Sequence, residues 1–138
     1  RFAGRALGRG PLAVARGGGG ASVAALVASS LRDGCLGEAA AALELAERSR
    51  EEPDERIASA LATMAADEER HAELAWRILR FAHELAPAEA EPAIAAFLAE
   101  AHPKSALEAD VLRDVVRPAL RAFATRRSPR AGDCAHEA

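Results

Sequence analysis

Tyrosine is absent from this 138-residue chain, and the other aromatics, four Phe and one Trp, bring the aromatic fraction to only 4%. β-branched residues are sparse as well, so the side chains that strands favour are in short supply. No apolar run approaches the roughly twenty residues of a bilayer-crossing helix. Two cysteines cannot knit a disulfide scaffold. A net charge of −3 provides no global electrostatic pull toward nucleic acid. The first residue is Arg1, and no signal-peptide pattern of basic, apolar and small residues follows it. What the chain has in quantity is alanine and leucine. Half of it is nominally hydrophobic, and small residues let helices approach closely. The expectation is one all-α domain without nucleic-acid or membrane partners.

Glycine is concentrated at the start: residues 1–20 hold seven of the ten, together with four arginines and no acid. That composition reads as a flexible Gly/Arg-rich connector. Helical periodicity fills the rest, punctuated by Pro53, Pro87, Pro92 and Pro103. The first long helix is expected over residues 21–49, with Gly34 and Gly37 weakening it by about 1 kcal/mol each against Ala. Its apolar stripe is Ala24, Ala28, Leu31, Cys35, position 38, Ala42 and Leu45. The second is expected over 54–85, opened by Pro53-Asp54-Glu55. Its stripe is Ile57, Leu61, Met64, positions 68 and 71, Ala75, Ile78, Ala82 and Leu85. Steps of four and three make both stripes seams of an antiparallel hairpin. Two shorter helices follow, near 88–101 and 105–125, with Pro118 expected to kink or break the last. Their apolar faces are Ile94, Phe97, Leu98 and Ala101, then Leu107, Val111, Val115 and Phe123. The folded domain thus spans 21–125, and 126–138 reads as a disordered tail.

Three seam positions are not apolar: Glu38, Glu68 and His71. A carboxylate facing other helices loses water at a cost of several kcal/mol unless a charge compensates it. One reading is a buried Glu–His or Glu–Arg pair, or a seam that opens to solvent there. The other is a metal. Glu68-Glu69-Arg70-His71 is a Glu-x-x-His unit, whose i,i+3 side chains project together from one helix face and can reach a single cation. The heights agree too. Glu38 lies about 15 Å from the hairpin turn and Glu68 about 20 Å, at 1.5 Å per residue, so the three meet within about one helical turn.

A Glu on one helix and Glu-x-x-His on the next resembles the half-site of ferritin-like di-iron carboxylate bundles. Arg32-Asp33-Gly34-Cys35-Leu36-Gly37-Glu38 and Asp67-Glu68-Glu69-Arg70-His71-Ala72-Glu73-Leu74-Ala75-Trp76 are similar to stretches in the second half of bacterial ferritin-like domain proteins. The resemblance covers roughly residues 1–125. It implies a ferritin-like helical bundle, with iron bound by Glu38 as a terminal carboxylate, Glu68 as a bridging one and His71 as the nitrogen ligand. The chemistry it implies is Fe(II) oxidation, or reaction of a reduced di-iron centre with O₂ or peroxide. In that family an earlier helix pair supplies a second Glu and a second Glu-x-x-His, which this chain does not contain. Its opening, through Gly10-Pro11-Leu12, resembles the connector that follows that pair. The expectation is half of a di-metal site on a fragment, completed by the missing upstream pair or by a homodimer mate.

The other candidates lead away from a site. Cys35, one turn before Glu38, reads as a small core residue. Trp76 reads as packing. His83 flanks the stripe, His102 precedes Pro103, and His136 and Cys134 fall in the tail. Arg117, Arg121, Arg126, Arg127 and Arg130 lack aromatic interleaving and read as a solvated end. The alternative function is a structural or interaction bundle whose polar seam is only a Glu–His pair.

Overall fold

The computed structural model describes residues 22–125. The connector expected over 1–20 and the tail expected over 126–138 lie outside the described residues, as do Arg126, Arg127, Arg130, Cys134 and His136. Every element within the described residues is helical, arranged as four rods in an all-α bundle.

The first rod comprises α1 (Val23–Ser29), a π-helical segment π1 (Ser30–Glu38) and α2 (Ala39–Glu51). Ser22 caps it, its hydroxyl accepting the Ala25 N–H at 3.1 Å. The second rod is α3 (Glu55–Leu85), capped by Asp54, whose carboxylate accepts the N–H of Arg56 at 2.8 Å and of Ile57 at 3.3 Å. A three-residue turn joins the two rods, and the Ser49 hydroxyl donates to the Ala58 carbonyl at 2.8 Å across it. Gly34 meets Ala75 further along the same pair, so the two rods run antiparallel.

The third rod is α4 (Pro87–Glu100), which starts on a proline whose missing N–H has no partner to lose at a first helical position. The fourth comprises α5 (Ala106–Val111), a π turn π2 (Leu112–Val116) and α6 (Arg117–Thr125). Ser105 caps it by accepting the Glu108 N–H at 3.1 Å. Pro118 neither breaks nor ends this rod. It sits at the second position of α6, directly after the wider π turn, where the displaced hydrogen-bond ladder tolerates a residue without an N–H.

The core lies where these rods meet at the end of the hairpin away from its turn. Val27, Leu31, Cys35, Leu79, Val116 and Leu120 are its most deeply buried side chains. Ala90, Ile94 and Phe97 of α4 close it on another side.

The π segments correct the expected stripes. In the first rod the buried line runs Val27, Leu31, Cys35 and Leu36, then Ala40, because a π turn holds more residues than an α turn and carries the inner face forward. In the last rod it runs Val111, Leu112, Val116 and Leu120, which leaves Val115 48% exposed. The α3 stripe is rotated for a different reason. Its buried residues are Ala65, Ala72, Ala75, Leu79 and Ala82, whereas Ile57, Met64 and Leu85 are exposed. Gly34 lets the rods come so close that only alanine fits opposite, and α3 presents its alanine line rather than its bulkier one.

Candidate metal centre

Glu38 closes π1, and Glu68 and His71 lie mid-way along α3. The antiparallel register brings all three together. One ligand atom from each lies within 4.8 Å of the others, and among the described residues this is the one group of three metal-ligating side chains so placed. Within it, His71 Nδ1 is 3.1 Å from Glu68 Oε2, the i,i+3 neighbour relation of a single helix face.

The seam is more open than a desolvated bundle interior. The His71 side chain is 60% exposed and that of Glu68 is 27% exposed, while Glu38 is half-buried. The rotation of α3 onto its alanine line is the cause: positions 68 and 71 flank the buried face instead of centring it. Water can therefore reach the cluster from the side that no other rod among the described residues covers.

The two carboxylates are electrostatically linked. Glu38 titrates above the usual carboxylate range, first because its carboxyl shares a proton with Glu68, then through partial burial and the adjacent negative charges of Glu68 and Asp33, against the pull of His71. Glu68 titrates below that range because it accepts from both Glu38 and His71. Without a cation, then, Glu38 holds a proton more readily than an isolated glutamate and Glu68 less readily, with an imidazole alongside. A cation between them would offset the two negative charges, and the donor set of two carboxylates and one imidazole suits a first-row transition metal. The residues present fit such an ion, which they can hold from one side.

Neighbouring residues position the cluster. Gly34 lies one turn before Glu38, and a Cβ on it would fall 2.2 Å from the Ala75 Cβ, so this glycine permits the approach that brings Glu38 to Glu68. Helix propensity marks Gly34 only as a weak point in a helix. The signal for its real role was a glycine placed mid-helix with alanines on the facing rod.

The remaining candidates sit elsewhere. Cys35 is buried in the core, where loss of water pushes its thiol up to about 12. Trp76 packs half-buried against the core. His83 Nε2 stands 3.6 Å from the Glu91 carboxylate, and its ring meets Phe123 edge-on at 4.9 Å, so it ties α3 to α4 and α6. His102 contacts the Glu100 carbonyl. Arg117 and Arg121 lie on α6, half-buried and exposed respectively. Among the described residues no helix is long and apolar enough to cross a membrane. Comparison of the chain with protein-family models, with curated proteins and with solved structures returns no match.

Proposed function

We propose that this chain is a ferritin-like metal-binding bundle carrying half of a di-metal site, with iron as the metal. One observation carries the reading: Glu38, thirty or more residues before Glu68 and His71 in sequence, places its ligand atom within 4.8 Å of theirs. Metal–ligand bonds of about 2 Å put the ligands of one ion roughly 3 to 4 Å apart, so small side-chain rotations bring this set into range. Glu68 and His71 already have that spacing, at 3.1 Å. Iron bound there would supply redox chemistry toward O₂ or peroxide. The chain's part is to offer two carboxylates that offset the ion's charge and to orient an imidazole nitrogen. The helix face beyond the cluster is open, so the remaining ligands come from outside the described residues, from an upstream helix pair or a homodimer mate.

A second reading is an interaction bundle in which Glu68 and His71 are merely a surface pair, and the 60% exposure of the His71 side chain favours it. Anaerobic titration with Fe(II), and with Co(II) as a visible reporter, separates the two. The metal reading expects saturable binding that Glu68→Leu and His71→Ala each abolish. Absent binding, or binding that survives both substitutions, overturns it.

A further inference from the structure

α3 carries a second apolar line that no rod in the described residues covers. Ile57, Met64, Leu74, Phe81 and Leu85 are between 49% and 65% exposed, and Ile78 is half-buried. These residues are spaced for helix pairing. Ile57, Met64, His71, Ile78 and Leu85 recur every seven residues, with Leu74 and Phe81 three further on from His71 and Ile78. That is the seam of a helix meant to lie along another helix. An uncovered apolar line of this length marks an interaction surface.

The line also reads alike from both ends, with His71 at its centre. Met64 and Ile78 stand seven residues to either side, and Ile57 and Leu85 fourteen. A helix laid antiparallel on it with the same sequence meets apolar with apolar at each of these levels. The flank does not oppose this. Arg70 pairs with Asp67, and Arg77 with Glu73, inside each chain, so these four charges are balanced before a second copy arrives.

We propose that a second copy of this chain packs its α3 antiparallel on this line, about a two-fold axis beside His71. Such an isologous contact sets each cluster of Glu38, Glu68 and His71 against its mate. Each chain then supplies the ligands the other lacks, because a cation of four to six coordination positions held by three groups on one helix pair has its open positions on the exposed side. The interface stands on the apolar line, and the shared site rests on the metal reading above.

The test uses the full chain with Cys134→Ser, since Cys35 is buried. Light scattering and sedimentation equilibrium, without metal and with Co(II), should show a dimer that binds two ions. Leu74→Lys combined with Phe81→Glu, both at exposed positions, should give a helical monomer. Register is read by oxidation. His71→Cys should form a disulfide-linked dimer, and Met64→Cys mixed with Ile78→Cys should cross-link. Met64→Cys alone should not, because its two copies would lie about 21 Å apart at 1.5 Å per residue. A full chain that stays monomeric, or one in which Met64→Cys alone cross-links, overturns the proposal. A dimer with the expected cross-links and no Co(II) supports the interface and overturns the metal reading. Saturable Co(II) binding by a monomer, lost in Glu68→Leu, supports the metal reading and overturns the dimer.

Discussion

Replacing Gly34 by alanine opposes two effects of known sign. Helix propensity alone favours alanine by about 1 kcal/mol at an interior position. Packing opposes it. The new Cβ would lie 2.2 Å from the Ala75 Cβ, against an optimum of roughly 3.5 to 4 Å for carbon atoms. The atom it meets is fixed to the backbone, so relief requires the two rods to part by more than about 1 Å, at the upper end of the roughly 1–3 kcal/mol that overpacking costs. The net expectation is a loss of about 2 kcal/mol, or a melting temperature about 10 °C lower for a domain near one hundred residues. Gly37→Ala is the control. Its Cβ would meet only the Arg32 carbonyl, at 3.4 Å, so propensity should win and stability should rise by up to about 1 kcal/mol. The swap Gly34→Ala with Ala75→Gly removes the clash, since the added Cβ then faces the residue 75 Cα at 3.6 Å, and restores stability to near wild type. Urea denaturation followed by circular dichroism measures these proteins and Ala75→Gly alone, five in all. A Gly34→Ala variant more stable than wild type, or single effects that simply add in the swap, would refute the close-approach argument.

Other outcomes are open to direct measurement. Glu68→Leu should end metal binding and lower the melting temperature of the metal-free protein at neutral pH, because it removes the acceptor shared by Glu38 and His71; a higher midpoint without metal counts against this. The raised Glu38 pKa means that the native state holds this proton more tightly than the unfolded chain does, so its contribution to stability falls as pH rises through that pKa. Glu38→Gln should therefore be more stable than wild type at neutral pH, the gap closing on acidification; a gap that is constant with pH sinks the shared-proton account. Glu68 works in the opposite sense, its contribution being present above the ordinary glutamate pKa and lost as pH falls through its lowered one. Cys35, buried and with its thiol pushed up to about 12, should resist alkylation in the native state and react on unfolding, so rapid labelling of the folded protein would contradict its placement.

The rods and their pairing were legible in the chain. Pro53-Asp54 and Pro87 mark rod boundaries because a capping carboxylate and a missing N–H act within a few residues, whatever the rest of the molecule does. The short turn forces an antiparallel hairpin, and constant rise per residue then sets Glu38 level with Glu68 and His71. Rotational phase was not legible. Periodicity shows that α3 carries apolar residues at helical spacing, yet it carries two such lines, one of alanines and one of Ile57, Met64 and Leu85. Which line turns inward depends on how near the facing rod can come, and that distance is set by Gly34 against Ala75, residues far apart in sequence. The π turns act likewise: one extra residue per turn at 30–38 and 112–116 shifts every later side chain around its helix, and local spacing alone does not reveal it. Hence the three polar residues meet where the spacing placed them, but on an open flank of the bundle, because exposure is decided by tertiary packing rather than by helical period.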